Sequence, residues 1–307
     1  MKKILVATEK PFAPAAVSAI KDVVEKAGYE FALLEKYTSN DELLKAVADA
    51  DAMIIRSDKA TKEVIDAAKN LKVIVRAGAG YDNIDLAACT AKGVVAMNTP
   101  GQNSNAVAEL AIGMMVLMAR NNYNGKAGTE LKGKKIGIHA YGNVGKYVAD
   151  IARGFGMKIM AFDPFIEKKT MIDDGVIPMD SIEELYENCQ YISLHIPAND
   201  KTKKSIGFDL LSAMPKNAVL VNTARKEVID EEGLLKVFAA RSDFKYISDI
   251  APDCSAEIEE KFAGRFFFTP KKMGAQTSEA NINAGIAGAN QIVNFFKKGD
   301  TTFQVNK

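Results

Sequence analysis

The chain has 307 residues, 48% of them apolar and 26% charged, which is enough to bury a sizeable core and close to the length of two ordinary domains. Forty basic residues against thirty-nine acidic ones leave a net charge of +1, so no global field recruits nucleic acid or an anionic membrane, and any anion selectivity must be local. Cys89, Cys189 and Cys254 are widely spaced, form no CxxC pair and have no histidines at ligand spacing; they read as thiols in a reducing compartment, with no metal site. The N-terminal apolar run, Ile4 to Ala7, is too short for a signal peptide, and no window approaches the roughly eighteen apolar residues of a membrane span. The expectation is a cytoplasmic globular protein.

In chain order, short β-branched runs predict strands at Lys3–Ala7, Ala52–Ile55, Val73–Arg76, Val94–Asn98, Lys135–His139, Ile159–Phe162, Ile192–Ile196, Val219–Asn222 and Tyr246–Ile250. Amphipathic stretches such as Ala15–Ala27 and Asp230–Ala240 alternate with them, which predicts parallel sheets covered by helices. Two longer segments have helical length: Asn105–Arg120, after the turn Thr99-Pro100-Gly101, and Ser278–Lys297 near the C-terminus. The first reads as a link between two units and the second as a helix returning the chain to the first unit.

The run from Lys134 to Gly145 reads as a strand entering a glycine turn that opens a helix through Gly154. In that setting backbone N–H groups approach a pyrophosphate and the helix N-terminus adds partial positive charge. Gly142 and Gly145 hold the second and third glycine positions of a GxGxxG pattern, while Ala140 holds the first; an ordinary strand-to-helix turn is the alternative reading. The next strand ends in Asp163, eighteen residues beyond Gly145, where a carboxylate would accept hydrogen bonds from ribose hydroxyls. No arginine or lysine adjoins Asp163, so NAD is expected over NADP.

Further motifs follow in order. They are Gly80-Tyr81-Asp82-Asn83-Ile84-Asp85, Asn98-Thr99-Pro100-Gly101, Val107-Ala108-Glu109, Leu194-His195-Ile196-Pro197, Asn222-Thr223-Ala224-Arg225, Ser248-Asp249-Ile250 and Thr269-Pro270-Lys271-Lys272-Met273-Gly274. The series resembles the D-isomer-specific 2-hydroxyacid dehydrogenases over nearly the whole chain, and most of all their short members that act on 3-phosphoglycerate and lack a C-terminal regulatory domain. The resemblance implies an α/β fold of two doubly wound, Rossmann-like parallel-sheet domains with the active site in the cleft between them. The substrate-binding domain would be residues 1–98 plus 282–307, and the NAD-binding domain residues 99–281. It also implies a homodimer, with no nucleic-acid or membrane partner.

Carried over position by position, Asn143 and Val144 would face the pyrophosphate and Asp163 the adenosine ribose. Pro197 and Thr202 would line the adenosine side, and Thr223, Ala224 and Asp249 would lie near the nicotinamide. Gly78, Ala79 and Gly80 match the loop that receives the substrate carboxylate. Arg225 matches the arginine that grips this carboxylate and polarises the C2 oxygen, a task suited to a planar, two-pronged donor; a surface ion pair with Glu227 or Asp230 is its other reading.

This sequence departs from the family at two points. The usual histidine before the hydrophobic-Gly pair is replaced by Lys271 and Lys272 in a segment one residue longer, and the glutamate expected after the Asp-Val step is missing from Asp249-Ile250-Ala251-Pro252-Asp253-Cys254. Counting back from Met273-Gly274 makes Lys272 the acid/base candidate. It must lose its proton to act, and burial together with the nearby Arg225 would favour that loss. The alternative is a plain cation that helps hold an anionic substrate.

Arg56 and Arg76 each close an apolar strand, at the carboxyl edge where open parallel sheets bind ligands, and both match the phosphate-binding arginines of phosphoglycerate-specific members. A solvated pair balanced by Asp58 and Asp82 is the other reading. The activity implied is NAD-linked oxidation of 3-phosphoglycerate. Hydroxypyruvate or glyoxylate reduction is the nearest enzymatic alternative, and a non-catalytic NAD-responsive binding protein is the alternative of another class.

Overall fold

A computed structural model describes residues 1–307. The chain divides into two compact units, Met1–Asn103 with Gln276–Lys307, and Ser104–Ala275. No helix is long and apolar enough to cross a membrane.

In the first unit five strands form an all-parallel sheet in the order β2-β1-β3-β4-β5: β1 (Lys3–Thr8), β2 (Glu30–Glu35), β3 (Ala52–Ile55), β4 (Val73–Arg76) and β5 (Val95–Asn98). Every residue of β3 is buried, and so are the first three of β4. Strands covered by helices on both faces need continuous apolar runs and not alternation, which is why these segments are so plain in the sequence. β2 escaped that reading because its sequence, EFALLE, is charged at both ends and only partly buried at the sheet edge.

The closing helix, Ser278–Lys298, begins where the Thr277 side chain accepts the Ala280 N–H and ends at left-handed Gly299. It lies against the helix Pro14–Lys26. At Gly285 an added Cβ would fall 2.7 Å from the Ile20 side chain, so glycine lets the two helices approach.

The second unit holds a seven-stranded parallel sheet in the order β12-β11-β10-β9-β6-β7-β8. Its strands are β6 (Lys135–His139), β7 (Lys158–Phe162), β8 (Ile177–Pro178), β9 (Tyr191–Leu194), β10 (Val219–Asn222), β11 (Lys245–Ser248) and β12 (Phe266–Phe268). The order reverses between β6 and β9, and open sheets bind ligands beyond the carboxyl ends of the strands at such a switch point. The helix Ser104–Ala119 is apolar nearly all round and joins the core beneath β6 and β10. Two strands end earlier than the apolar runs suggest: β9 stops at Leu194 and β11 at Ser248, which leaves His195 and Asp249 just past the carboxyl edge.

Candidate active site

The glycine turn of the second unit has the geometry of a diphosphate cradle. The helix Asn143–Gly154 starts at Gly142, which carries no side-chain cap and around which an added Cβ would meet nothing. The backbone N–H groups of the first turn are therefore presented without a side chain over them. At Gly145 an added Cβ would lie 2.5 Å from the Ala140 carbonyl oxygen and 3.0 Å from Ile138, so the helix could not sit this close to β6 with any other residue. Ala140 adopts a left-handed φ of +82°, a conformation that costs an L-residue about 1–2 kcal/mol, and so occupies a glycine's backbone position without being glycine.

Asp163, one residue past β7, accepts the Tyr141 N–H at 2.8 Å through one oxygen and the Phe165 N–H at 2.8 Å through the other. These two bonds aim the carboxylate at the turn. On the neighbouring loop the Thr202 hydroxyl donates to the Pro197 carbonyl at 2.5 Å and accepts the Asn199 N–H at 2.9 Å, closing residues 197–202 into a rigid bend.

Both histidines of the chain lie here, and both are neutral at ordinary pH. Burial pushes His139 down to about 4, against the pull of Asp163, and its Nδ1 meets the Tyr186 hydroxyl at 3.3 Å. Burial, and to a smaller degree the neighbouring His139, pushes His195 down to about 3. The Nε2 of His195 pairs with Ser193 Oγ at 2.9 Å and its Nδ1 faces Thr223 Oγ1 at 3.5 Å, so its ring orients the Thr223 hydroxyl.

The cations expected from the sequence converge on one atom. The Ala224 carbonyl oxygen accepts Arg225 Nη1 at 2.9 Å and Lys272 Nζ at 3.1 Å. The surrounding loop is set by Asn222, which is buried at the end of β10. Its Oδ1 accepts the Ala224 N–H at 3.0 Å, and its Nδ2 donates to the Arg225 carbonyl at 3.0 Å.

Asp249 sets the other side, at 1% exposure. Its Oδ1 accepts the Met273 N–H at 2.7 Å and the Thr269 hydroxyl at 3.1 Å, and its Oδ2 accepts the Gly274 N–H at 2.8 Å. The carboxylate thus fixes the loop that carries Lys271 and Lys272. Lys272 is exposed, so the burial expected from the sequence to favour loss of its proton is absent; the Ala224 carbonyl and the Asp249 clamp on its loop set its position.

In the first unit Arg56 is held from several sides. Its Nη1 donates to the Lys10 and Pro11 carbonyls at 3.2 and 3.1 Å and its Nη2 to Asn281 Oδ1 at 2.5 Å, and the guanidinium lies over the Phe12 ring. Burial lowers its pKa from the ordinary value, with Asp58 opposing. Arg76 Nε donates to the Arg56 carbonyl at 3.0 Å, which ties the two arginines into one cluster.

Gly78 has φ +151°, a backbone conformation that other residues rarely adopt, and the Arg76 guanidinium lies across it, with Nη1 1.7 Å from where an added Cβ would fall. Asn98 Nδ2 holds the exposed Ala79 by its carbonyl at 2.6 Å, and Gly80 continues the loop. Asn83 donates to the Arg56 and Asp58 carbonyls at 3.2 and 2.6 Å. The supporting roles of Asn83, Asn98, Asn222 and Asn281 went unread in the sequence. For Asn98 and Asn222 the available signal was an asparagine closing an apolar strand; Asn83, in a loop, and Asn281, in the closing helix, offered none.

The model of the D-isomer specific 2-hydroxyacid dehydrogenase catalytic domain matches residues 4–306, and the chain belongs to that family. It is 50% identical to the NAD+-bound 3-phosphoglycerate dehydrogenase of Entamoeba histolytica, at a TM-score of 0.88, with 100% of this chain and 99% of that one covered. It is 38% identical over 274 residues to the D-3-phosphoglycerate dehydrogenase of Methanocaldococcus jannaschii, covering 83% of this chain and 51% of the relative. To the hydroxypyruvate reductase of Thermotoga maritima it is 36% identical over 279 residues, covering 84% of this chain and 88% of the relative. The chain thus spans about half the length of the curated D-3-phosphoglycerate dehydrogenases that it matches.

Proposed function

We propose that this chain is an NAD-dependent dehydrogenase of 3-phosphoglycerate, oxidising its C2 hydroxyl to give 3-phosphohydroxypyruvate. The observation that carries this reading is the 50% identity, over the full length, to a 3-phosphoglycerate dehydrogenase bound to NAD+. The open glycine turn at Gly142 and Gly145, with Asn143, Val144 and Asp163 beside it, suits a dinucleotide, and bound NAD would supply the hydride acceptor. In this reading the second unit is the cofactor domain and the first the substrate domain, in a cytoplasmic homodimer.

The chain's own residues then divide the remaining work. Arg225 holds the substrate carboxylate with its two-pronged guanidinium, and the donors of the Gly78–Gly80 loop approach it from the backbone. Arg56 and Arg76 receive the phosphate. Lys272 Nζ, beside Arg225 on the Ala224 carbonyl, takes the proton of the C2 hydroxyl as the C2–H bond breaks, a step that requires it as the free amine. Thr223, oriented by His195, and the Pro197–Thr202 bend line the cofactor.

Hydroxypyruvate reduction is the second reading, favoured by the Thermotoga maritima relative, of which this chain covers 88%. NADH-linked reduction of 3-phosphohydroxypyruvate by the purified protein, set beside NADH with hydroxypyruvate, separates the two. The first reading expects kcat/KM at least about ten-fold higher for the phosphorylated pair, since one charge-assisted hydrogen bond already contributes about 1.5–3 kcal/mol. Equal or better use of hydroxypyruvate would support the second.

A further inference from the structure

The strands of the second sheet begin on the edge opposite the glycine turn, and there the sequence places charge that the proposed chemistry does not use. Lys134 directly precedes β6, Gln190 precedes β9, Asn217 stands two residues before β10, and Lys245 opens β11. Together with the Tyr191 ring they line a cavity of about 370 Å³, within the size range of small-molecule sites. Met118, Ala119 and Val219 give it an apolar floor.

The charge balance of this cavity differs from that of the larger cavity in the same unit. Two lysines line it and no carboxylate does. In the larger cavity of the same unit, about 520 Å³, Lys203, Lys204 and Lys226 are accompanied by five carboxylate residues, and Lys226 pairs with Asp253. Neither Lys134 nor Lys245 belongs to any of the ion pairs in the structure. The carboxylate attached to this rim, Asp243, is occupied by the Asn217 N–H at 2.6 Å and by Arg241 at 2.8 Å.

The amides are likewise arranged. Gln190 Nε2 is turned onto the Asn217 carbonyl at 3.0 Å, and Asn217 is held in a left-handed conformation at φ +61°. Partial burial lowers the pKa of both lysines, and Lys245 lowers that of Lys134 further against the pull of Glu130. Two partly desolvated ammonium groups, of which only Lys134 feels a carboxylate, that of Glu130, are stabilised by an anion placed between them.

We propose that this cavity is a binding site for a small phosphate-class anion of at least two negative charges, separate from the glycine turn and held by Lys134 and Lys245. Both ammonium groups donate to its oxygens, and the apolar floor accommodates an organic body if the phosphate carries one. The inference is independent of the proposed function, because no residue of the cavity belongs to that site.

The test is site-resolved amine labelling. The purified protein is acylated with an amine-selective ester at mildly alkaline pH, and each lysine is followed by peptide mass spectrometry, with pyrophosphate or with sodium chloride of equal ionic strength. Pyrophosphate is expected to slow labelling of Lys134 and Lys245 together while Lys132 and Lys236 are unchanged. Lys245→Gln should weaken the pyrophosphate protection of Lys134 by about ten-fold, the loss of one charge-assisted hydrogen bond. Inorganic phosphate and a phosphate monoester, compared in the same way, distinguish a free anion from a phosphorylated metabolite. Equal labelling in pyrophosphate and chloride would overturn the proposal, as would protection unaffected by Lys245→Gln. Protection that rises with protein concentration alone would overturn it too, because the face would then be covered by a second copy.

Discussion

Asp249→Asn tests whether a buried carboxylate, and not burial of the lysine itself, builds the Lys272 loop. Asp249 accepts three hydrogen bonds from the loop region, from the Met273 and Gly274 N–H groups at 2.7 and 2.8 Å and from the Thr269 hydroxyl at 3.1 Å. Asparagine has nearly the same shape but only one acceptor oxygen. With that oxygen kept toward Met273 and Thr269, the NH2 group faces the Gly274 N–H, donor against donor, in a site with 1% exposure.

One charge-assisted bond is then lost, about 1.5–3 kcal/mol, and the two that remain weaken as the charge disappears. The expected cost to the second unit is about 2–3 kcal/mol. For a unit of this size that corresponds to a fall in Tm of roughly 4–12 °C, read by calorimetry or by urea denaturation with a local fluorescence probe. A variant within about 0.5 kcal/mol of the parent would refute the clamp, because surface substitutions without such a role fall in that range.

Removing the charge at the dinucleotide turn by Asp163→Ala should reduce the preference for NAD over NADP by about ten-fold or more in kcat/KM; a parent that uses both cofactors equally would contradict the role of this carboxylate. Arg76→Ala and Arg56→Ala should each raise KM for 3-phosphoglycerate by about ten-fold while leaving hydroxypyruvate little changed, and equal losses on both substrates would contradict phosphate binding. His139 should make the fold acid-sensitive. Its pKa is depressed to about 4 when folded, so the unfolded chain takes up the proton first as pH falls below the ordinary 6.5, and stability is lost progressively down to pH about 4. At pH about 5 this costs roughly 2 kcal/mol, and a urea midpoint whose pH dependence is unaltered in His139→Gln would contradict it.

The sequence displayed most of the scaffold, for a physical reason. Strands buried on both faces must be continuous apolar runs, and Ala52–Ile55, Val73–Arg76, Lys135–His139 and Val219–Asn222 stand in the structure at the ends read from the sequence. Of the edge strands only β5 showed. Glu30–Glu35 is half covered and Phe266–Phe268 is three residues long, so neither carries a full burial signature. At the candidate site Arg225 and Lys272 could be singled out because they sit in ordered motifs, and the structure brings both to the Ala224 carbonyl.

What orients them was not legible. The Ala224 carbonyl that gathers both cations is a backbone atom, and the Asp249 clamp is made to backbone N–H groups more than twenty residues away. Neither leaves a mark in residue type. Nor did the sequence indicate that Ala140 takes up the left-handed conformation of the glycine it replaces, since nothing in an alanine announces a positive φ.

The central claim, that a lysine performs the proton transfer left by the absent histidine, is tested most directly by the turnover of Lys272→Arg beside Lys271→Arg, with NAD affinity measured separately. Arginine keeps the positive charge and the reach to the Ala224 carbonyl but does not release its proton in proteins. The account predicts that Lys272→Arg loses about a hundred-fold or more in kcat with NAD binding intact, and that Lys271→Arg stays near the parent. Near-parental kcat in Lys272→Arg would contradict it.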